Sequence, residues 1–577
     1  MINIDEIRKK ATLWLGNEFD EATRNEVKNM MENDEKGLVD AFYQDLEFGT
    51  GGLRGIMGAG TNRMNRYTLG MATQGLSNYL KKHAANPSSI KVAIAYDSRN
   101  NSTYFARVAA DIFMANGFTA YLFESLRPTP VLSFAVRHHG CDAGVIITAS
   151  HNPKEYNGYK VSWNDGGQVV SPHDRGIIDE VRKIKSVKEI ASGGDQSRII
   201  FIGEETDKKY MEEVRKLSLN SEIIKRHADM GIVYTPLHGT GYKMIPEALA
   251  MYGFTNIYPV REQSITDGNF PTLHSPNPEE PGALAMALDL AREKGADLVM
   301  ATDPDADRLG IAVRKPSGGF VLLNGNQTGA LLTWYISSET KSKGELKGNE
   351  YIIKTIVTSD LLDSIAEKNG VECYNVLTGF KFFAEIMRDL EGKKKYIGGG
   401  EESFGYLPGD YVRDKDAVSS CALIAEIAAW ARDHGKSLWE LLLDIYAEYG
   451  LYREKLVNVV RKGAEGAAEI RKMMEDFRST PPAAIDGSKV VKINDYLLLT
   501  SADLLTGKKT PLPLEKSNVL QFFLEDGTKI SVRPSGTEPK IKFYFSARTA
   551  LGNISEFEAA WNSLEVRIDG IISALRL

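Results

Sequence analysis

The pattern that most constrains this chain is a repeated succession of a short apolar strand, a polar turn and a helix. It occurs at Lys91–Tyr96, again at Gly231–Tyr234, and a third time at Tyr351–Ile356. Each strand runs into a turn rich in Ser, Thr, Asp or Gly, and a helical pattern follows that turn. Alternation of this kind is typical of α/β layers built on parallel or mixed sheets. The helix N-termini at these turns favour anions, so the same sheet edges are suited to binding phosphate.

The composition changes on both sides of these repeats. Up to about Glu47 the chain is heavily charged with a helical apolar pattern, which predicts a packed N-terminal extension. Beyond about Tyr452 a helix and short strands, among them Lys540–Ser546, indicate a small domain of a different kind. We therefore predict three related α/β domains, each a mixed sheet flanked by helices, plus a smaller C-terminal α+β domain, arranged around a central cleft. The predicted domains are 1–205, 206–325, 326–455 and 456–577.

The charge and the cysteine content limit which cellular compartment and which classes of partner are expected. The 577 residues carry a formal net charge of −7 and no basic block, so neither nucleic acid nor an anionic membrane is expected as a partner. Cys141, Cys373 and Cys421 are far apart and lack metal-ligand spacing, which favours a reducing compartment. The charged N-terminal stretch has no apolar core of signal-peptide length, and no run is long enough to span a bilayer. The expectation is a cytoplasmic monomer or homodimer.

A hydroxyl follows the buried-looking strand Asp142–Ile147, in the segment Thr148-Ala149-Ser150-His151-Asn152-Pro153. The Asn-Pro pair forces a turn there. A serine at the end of such a strand is well placed to be a nucleophile or a phosphate carrier, although serine is also common in turns for purely structural reasons. Adjacent Ser150 and His151 do not form a triad, since a triad needs a base brought from elsewhere in the fold.

Three carboxylates alternate in the segment Asp303-Pro304-Asp305-Ala306-Asp307-Arg308, between two apolar strands. Buried together they would repel one another severely without a cation, and hard oxygen ligands suit Mg²⁺. An EF-hand fails because Arg308 stands where that loop needs glycine and Arg314 where it needs glutamate. Two other interpretations stay open: a solvated acidic turn, and a dehalogenase-like site with Asp303 as nucleophile and Asp305 as acid.

Two further loops carry side chains suited to a sugar phosphate. Gly400-Glu401-Glu402-Ser403 brings a carboxylate and a hydroxyl, which can hold vicinal diols, to a glycine-rich turn; an ordinary turn fits this spacing equally well. Near the C-terminus, Arg533-Pro534-Ser535-Gly536-Thr537-Glu538-Pro539-Lys540 combines a guanidinium, hydroxyls and an open backbone, which is the chemistry of a phosphate cradle. It lacks the Gly-Lys-Ser/Thr order of a P-loop, and a plain hairpin loop is the alternative.

With these four loops in this order, the chain resembles the α-D-phosphohexomutase superfamily of phosphoglucomutases and phosphomannomutases. The resemblance extends from Phe48 to about Ser546, and its motifs are Thr-Ala-Ser-His-Asn-Pro, Asp-x-Asp-x-Asp-Arg, Gly-Glu-x-Ser and Arg-Pro-Ser-Gly-Thr-Glu-Pro. The first 45 residues lie outside it. The length and the opening Phe48-Gly49-Thr50-Gly51-Gly52-Leu53-Arg54-Gly55 look most like the branch that includes bacterial phosphoglucomutases and animal phosphopentomutase-like enzymes.

This resemblance implies phosphoryl transfer and a role for each motif. Ser150 would be carried as phosphoserine, and a phosphoryl oxygen would bind Mg²⁺ together with the three aspartates, Asp303, Asp305 and Asp307. Attack by the sugar hydroxyl would give a glucose 1,6-bisphosphate intermediate, which turns over and returns its other phosphate to the serine. The other implied positions are Arg54, Lys160 and His151 at the reacting hydroxyl, Arg308 beside the metal, Glu401 and Ser403 at the sugar's 3- and 4-hydroxyls, and Arg533, Ser535, Gly536 and Thr537 at the non-reacting phosphate.

A second interpretation stays open for the side chains that the resemblance places at proton transfer. Lys160 lies ten residues after Ser150. Crowded by an arginine and a metal, it is expected to have a lowered pKa and to act as a general acid or base. In the alternative, Lys160 and Arg54 only bind charge and His151 only orients the loop.

The preference for one sugar over another is predicted from one short segment and from two departures from the family pattern. Thr378-Gly379-Phe380-Lys381 looks like the phosphoglucomutase form of the specificity loop, in which Lys381 favours glucose. Pro304 replaces a glycine common among relatives, and the chain lacks a histidine two residues after Ser403. The prediction is an intramolecular phosphotransferase that interconverts glucose 1-phosphate and glucose 6-phosphate. Phosphomannomutase or phosphopentomutase activity is the alternative within the family; a metal-dependent sugar phosphatase using Asp303 and a non-catalytic sensor are the alternatives outside it.

Overall fold

The computed structural model describes residues 3–47, 49, 52–461, 463–535 and 540–577, which form two compact units. The first unit comprises Met1–Gly325 and Phe380–Gly435, and the second comprises Asn326–Gly379 and Lys436–Leu577. The predicted domain boundaries near 205, 325 and 455 stay a prediction.

The structure contains both amphipathic α-helices and helices that are buried almost all round. In chain order they are α1 (Ile4–Leu13), α2 (Glu21–Asn33), α3 (Glu35–Phe42), α4 (Arg66–His83), α5 (Ser102–Ala115), α6 (Thr129–His138), α7 (His173–Lys183), α8 (Glu204–Arg215), α9 (Ser221–Arg226), α10 (Gly241–Tyr252), α11 (Ala285–Lys294), α12 (Gly325–Ser342), α13 (Leu361–Asn369), α14 (Lys381–Leu390), α15 (Ala417–Asp433), α16 (Leu438–Tyr449), α17 (Gly463–Ser479) and α18 (Phe557–Ala574).

The strands are mostly short. In chain order they are β1 (Gly52–Ile56), β2 (Lys91–Tyr96), β3 (Thr119–Phe123), β4 (Ala143–Ile147), β5 (Tyr156–Trp163), β6 (Ile199–Ile202), β7 (Ile232–Thr235), β8 (Ile257–Pro259), β9 (Leu298–Thr302), β10 (Leu309–Arg314), β11 (Phe320–Leu323), β12 (Glu350–Thr355), β13 (Glu372–Val376), β14 (Lys395–Gly400), β15 (Tyr406–Pro408), β16 (Leu451–Val460), β17 (Ala484–Ile485), β18 (Ser488–Asp495), β19 (Thr500–Asp503), β20 (Lys509–Pro511), β21 (Leu520–Leu524), β22 (Lys529–Pro534) and β23 (Lys540–Thr549).

The first sheet of the first unit is mixed, with strand order β1-β5-β4-β2-β3-β6. Strands β4, β2, β3 and β6 run parallel, whereas β5 pairs antiparallel with both β4 and β1. All five residues of β4 are buried, as expected for a central strand covered on both faces. Helix α5 lies against β2, β3 and β4, and the core beneath it includes Val92, Ile94, Phe113, Val145 and Val161.

The second sheet of the first unit has the order β11-β10-β9-β7-β8. Strand β9 pairs parallel with β7 and antiparallel with β10. The segment 303–308 is therefore a hairpin loop that connects two interior strands at one end of the sheet. Both flanking strands are almost wholly buried, which confirms the internal strands that the sequence predicts on either side of the aspartates.

The N-terminal extension is helical, as predicted. Asp20 caps α2 through the amide of Thr23, and Asp34 caps α3 through the amide of Gly37. Trp14, Phe19 and Phe42 are buried in one aromatic cluster, with Trp14 and Phe19 stacked at a ring-centroid distance of 4.6 Å. The cluster also includes Ala59 and Tyr67, so the extension is packed against the chain that follows it, as the sequence predicts.

The second unit contains the parallel pair β12 and β13 and a larger antiparallel sheet of order β16-β23-β22-β21-β18-β19-β20, with β17 paired to β18. Helices α17 and α18 lie on β23. This confirms the predicted C-terminal α+β character, although the ten-residue strand β16 and helix α18 were not predicted. Among the described helices, none has the length and apolar character needed to cross a bilayer.

Candidate active site

The segment after β4 holds Ser150 in a strained and buried position. Ser150 has a φ of 52°, in the left-handed region that non-glycine residues seldom occupy. Its amide donates to Thr148 Oγ1 at 2.9 Å, and the residue is 3% exposed. Its hydroxyl donates to Asp303 Oδ2 at 2.7 Å and lies 3.2 Å from Nδ1 of His151. The fold therefore brings the serine of one sheet to the aspartate loop of the next.

The three aspartates form a buried carboxylate cluster. One oxygen from each of Asp303, Asp305 and Asp307 lies within 4.8 Å of the others. Ala306 takes a left-handed φ of 50°, which turns the short loop. The amides of Asp307 and Arg308 donate to Asp303 Oδ1 at 3.2 Å and 3.1 Å, so the backbone of the loop supports its first carboxylate.

Two oxygens of this cluster fit a cation. The Oδ1 atoms of Asp305 and Asp307 are buried and accept no hydrogen bond from the part of the chain that the structure describes. Burial, together with repulsion from the other two aspartates, holds the pKa of Asp303 well above its usual value. Several buried carboxylate oxygens within reach of one point are the donors that a hard divalent cation requires. The cluster can therefore hold a metal ion, and a solvated acidic turn does not fit its burial.

Two lysines contact the cluster: Lys415 is buried and Lys160 is partly buried. Nζ of Lys160 lies 2.8 Å from Asp305 Oδ2, and Nζ of Lys415 lies 3.0 Å from Asp307 Oδ2. Burial opposes the charged form of Lys160, but Asp305 and Asp307 outweigh it and raise the pKa of the ammonium. Burial likewise opposes ionisation of Asp305, but Lys160 holds the pKa of that carboxyl below its usual range. The carboxylates alone therefore raise the Lys160 pKa; the lowering expected beside a bound metal stays a prediction.

His151 and Arg54 lie on the other side of the serine. Burial lowers the pKa of His151 well below its usual value, and Arg308 and Arg54 lower it further, so the imidazole is neutral near pH 7. Arg54, on β1, donates to Asn152 Oδ1 at 3.1 Å. The antiparallel register sets Arg54 opposite Gly158 of β5, two residues before Lys160. The sheet thus brings the four predicted catalytic side chains, Ser150, His151, Lys160 and Arg54, to one end of β4 and β5.

The predicted sugar-binding loop also reaches this cluster. Arg308 Nη1 donates to Glu279 Oε1 at 2.8 Å. Burial disfavours its charged form, but Asp307, Glu279, Asp303 and Glu401 together raise the pKa of the guanidinium. Ser403 is half-buried in the turn after β14, and the amide of Leu309 donates to the carbonyl of neighbouring Phe404 at 2.9 Å. The turn 401–405 is therefore anchored on the strand that follows the aspartates.

Lys381, the predicted specificity residue, begins helix α14. Its Nζ lies 4.0 Å from Asp174 Oδ2 and 4.9 Å from the ring centroid of Phe382. The neighbouring Phe380 ring lies 5.7 Å from Nζ of Lys415. Lys381 is thus the neighbour in sequence of Phe380, whose ring lies close to Lys415, and Lys415 contacts the carboxylate cluster.

The predicted phosphate loop belongs to the second unit. Arg533 lies on β22 opposite Lys542 of β23, and the amide of Ser535 donates to the carbonyl of Lys540 at 2.8 Å. Strands β22 and β23 are therefore antiparallel neighbours on either side of the segment. Gly536 and Thr537 lie outside the described residues.

Three residues that carry no motif complete the site in the first unit. They are Lys415, described above, Thr129 and Arg99. Thr129 donates through its hydroxyl to Asp305 Oδ2 at 3.0 Å and through its amide to the Asp305 carbonyl at 2.9 Å. Arg99 is buried against the backbone of the serine loop. Of these three, only Arg99 lies in a segment that the sequence singles out, the polar turn after the strand Lys91–Tyr96, and that pattern assigns it no role.

Comparison with known proteins gives the same order of domains. Residues 45–188, 208–318 and 324–449 match the models for phosphoglucomutase/phosphomannomutase α/β/α domains I, II and III, and residues 456–551 match the C-terminal domain of that family. A phosphoglucomutase of Staphylococcus aureus strain bovine RF122 / ET3-1 is 39% identical over 512 residues, covering 88% of this chain and 91% of the relative. That of strain MRSA252 is 37% identical over 539 residues, covering 93% and 95%.

Solved structures have the same fold. The open form of pp63/parafusin, a phosphoglucomutase from Paramecium, superimposes with a TM-score of 0.67 at 19% identity, covering 92% of this chain and 96% of that one. A phosphoglucomutase/phosphomannomutase family protein from Burkholderia thailandensis gives a TM-score of 0.65 at 18% identity, covering 91% and 97%.

The four matched domains and the identity over most of the chain place this protein in the phosphoglucomutase/phosphomannomutase family, within the α-D-phosphohexomutase superfamily. It is accordingly a phosphotransferase mutase, an enzyme of the isomerase class.

Proposed function

We propose that this enzyme interconverts glucose 1-phosphate and glucose 6-phosphate through a phosphoserine at Ser150 and a glucose 1,6-bisphosphate intermediate. The observation that carries the proposal is the 2.7 Å contact between Ser150 Oγ and Asp303 Oδ2, which sets a strained, buried hydroxyl beside the carboxylate cluster. The phosphoglucomutase relatives at 37–39% identity support glucose as the sugar.

The cation proposed for the cluster is Mg²⁺, held by Asp303, Asp305, Asp307 and an oxygen on Ser150. When bound, it supplies positive charge that offsets the negative charge of a transferring phosphoryl group. Thr129 and Lys160 fix the orientation of Asp305. Lys415 performs the same task for Asp307. Supporting contacts of this kind hold metal ligands in one geometry.

His151 is the proposed proton carrier for the serine. Its Nδ1 lies 3.2 Å from Ser150 Oγ, and burial keeps the imidazole neutral. It can take the serine proton when the hydroxyl receives a phosphoryl group and return the proton when the group leaves. Lys160, protonated between two carboxylates, is proposed to be a general acid, and Arg54 to bind charge beside it.

The substrate is proposed to bind through the remaining predicted residues. Arg308, Glu401 and Ser403 would contact the sugar or its reacting end, because Arg308 directly follows the aspartates and the turn 401–405 is bonded to Leu309. Lys381 is proposed as a further contact because it follows Phe380, whose ring lies 5.7 Å from Nζ of Lys415. Arg533, Ser535, Gly536 and Thr537 would hold the non-reacting phosphate, which needs a guanidinium, hydroxyls and backbone amides.

A substrate panel tests the sugar. The kcat/KM for glucose 1-phosphate, mannose 1-phosphate and ribose 1-phosphate is measured with Mg²⁺ and a catalytic amount of glucose 1,6-bisphosphate. We expect glucose 1-phosphate to be preferred by at least about tenfold, since one misplaced hydroxyl leaves polar groups unpaired. A preference for mannose or ribose would overturn the choice of sugar.

The substitution Ser150→Ala tests whether Ser150 carries the phosphoryl group. Ser150→Ala should abolish mutase turnover, whereas the matched control Ser77→Ala, which removes a buried hydroxyl bonded to Thr73 O within α4, should keep it. A phosphatase that uses Asp303 as nucleophile would retain its turnover in Ser150→Ala, and that result would exclude the proposed mutase mechanism.

A further inference from the structure

The loop that carries Ser150 is built around one buried arginine. Arg99 is 3% exposed, and its guanidinium donates to four main-chain carbonyls of this loop. Nη1 lies 2.8 Å from Pro153 O and 3.0 Å from Tyr156 O. Nη2 lies 2.6 Å from Ser150 O and also contacts Asn152 O. Four carbonyls between Ser150 and the start of β5 therefore converge on a single side chain.

The sheet determines where Arg99 lies. Strands β2 and β4 are parallel neighbours with Tyr96 opposite Ile147, so the turns that follow them lie side by side. The amide of Asp97 donates to Ile147 O at 3.1 Å, and Asp97 Oδ1 accepts from the Arg99 amide at 2.9 Å. Arg99 Nε lies 3.5 Å from Asp97 Oδ2, which balances the buried charge. The guanidinium also lies over the Phe270 ring, 5.1 Å from its centroid.

A guanidinium suits this place better than any other side chain. It presents five N–H donors in one plane, and four carbonyls use them here. Buried carbonyls left without a donor are costly, so loss of Arg99 would drive the loop to rearrange. The left-handed conformation of Ser150 is itself unfavourable and needs support from its surroundings. Arg99 provides that support through the Ser150 carbonyl.

We infer that Arg99 is a positioning residue for phosphoryl transfer: it holds the 150–156 loop so that Ser150 Oγ stays aimed at the aspartate cluster. The inference rests on the proposed function of Ser150 as phosphoryl carrier. Arg99 acts through the loop backbone, since its contacts are with carbonyls and with Asp97. Its loss should therefore lower the rate of transfer far more than the binding of the sugar phosphate.

The kinetic test uses Arg99→Lys, which keeps a charge for Asp97 but offers one nitrogen in place of three, and Arg99→Met as a second variant. We expect kcat to fall by about 100-fold, the effect of a small misplacement of a reacting group. KM should change by less than about threefold, because we expect no loss of interactions that bind the substrate and the transition state equally. The matched control is Arg314→Lys, which removes an arginine that donates to Ala296 O and lies 5.0 Å from the Phe320 ring centroid, and it should keep wild-type kcat.

A second readout does not depend on activity. Hydrogen–deuterium exchange of the amides of Ser150, Asn152 and Tyr156 is compared in the wild type, Arg99→Lys and Arg314→Lys, all without substrate. We expect faster exchange in this loop only in the Arg99 variant. Wild-type exchange in Arg99→Lys, or wild-type kcat despite faster exchange, would overturn the inference, as would an equal loss of kcat in Arg314→Lys. If the wild-type enzyme transferred no phosphoryl group from Ser150, the proposed function would be refuted. The hydrogen–deuterium exchange result tests the role of Arg99 alone.

Discussion

One oxygen of Asp305 and one of Asp307 are held by side-chain donors from elsewhere in the first unit. Asp305 Oδ2 receives the hydroxyl of Thr129 at 3.0 Å and the ammonium of Lys160 at 2.8 Å. Replacing Thr129 by valine keeps the shape and removes the hydroxyl. We expect Thr129→Val to weaken activation by Mg²⁺ by about tenfold, since groups that orient a metal ligand have effects of this size. A Mg²⁺ titration of mutase activity measures this.

The control for that prediction is Thr73→Val. It removes a buried hydroxyl that donates to Leu69 O at 2.9 Å inside α4. Its Mg²⁺ dependence should match that of the wild type. An unchanged Mg²⁺ dependence in Thr129→Val would show that the hydroxyl does not orient Asp305.

Lys415 supplies one of the buried positive charges beside the cluster. Its Nζ lies 3.0 Å from Asp307 Oδ2, and although burial opposes its charged form, Asp307 and Asp414 raise its pKa. Removing one partner of a buried ion pair leaves an uncompensated charge, which costs about 3–5 kcal/mol. We expect Lys415→Met to destabilise the metal-free protein by this amount, measured by urea unfolding in a chelator.

Added Mg²⁺ should restore part of the stability of Lys415→Met, because a cation at the carboxylates replaces the missing charge. Lys436→Met is the matched control, since Lys436 pairs with Asp444 at an exposed site. A loss of stability that Mg²⁺ does not reduce would contradict the assignment of the cluster as a cation site.

At the scale of the elements, the turn after β7 supports the aspartate loop. The amide of Thr240 donates to Pro304 O at 2.8 Å, and a β-carbon at Gly239 would lie 2.4 Å from Pro304 Cα. We expect Gly239→Ala to displace Pro304, and with it the aspartates on either side, and to lower kcat by about tenfold to 100-fold. Steady-state kinetics at saturating Mg²⁺ measures the loss.

Gly282→Ala is the control for this substitution. No described atom lies within 4 Å of a β-carbon at Gly282. Activity should be unchanged there, and stability unchanged or slightly higher. Full activity in Gly239→Ala would mean that the turn and the aspartate loop are not mechanically linked.

Much of the fold could be predicted because strand and helix periodicities are local. Strand β2 matches its prediction residue for residue, and the strands on either side of the aspartates match within one residue. The four loops that carry the chemistry were recognised by their motifs. The contacts between them were not predicted: Lys415, Thr129 and Arg99 reach the site through sheet register and helix placement, which a single sequence does not encode as a local pattern.

At the scale of the whole molecule, stability should depend on pH through Glu454 of β16. The residue is only partly buried, but its Oε1 is out of reach of solvent and accepts no hydrogen bond from the described residues. Burial raises the pKa of this carboxyl from 4.5 to about 7. A raised folded-state pKa stabilises the protein fully below pH 4.5, and this contribution is lost as pH rises through 7.

The substitution Glu454→Gln removes this titration. Relative to the wild type, we expect it to gain up to about 3 kcal/mol of stability between pH 5 and pH 8, the linkage equivalent of the shift. Thermal unfolding across this range, with Glu448→Gln as an exposed control, measures the difference. A Glu454→Gln advantage that does not grow with pH would contradict a carboxyl pKa that burial raises.

The most direct test of the central claim follows the phosphoryl group itself. Enzyme labelled with ³²P is prepared, the label is mapped by peptide digestion, and unlabelled glucose 1-phosphate is added in a single turnover. We expect the label to lie on Ser150 and to move to glucose 1,6-bisphosphate, and Ser150→Ala to take up none. Label on an aspartate, or release of the label from Ser150 as inorganic phosphate at a rate that glucose 1-phosphate does not change, would contradict this expectation.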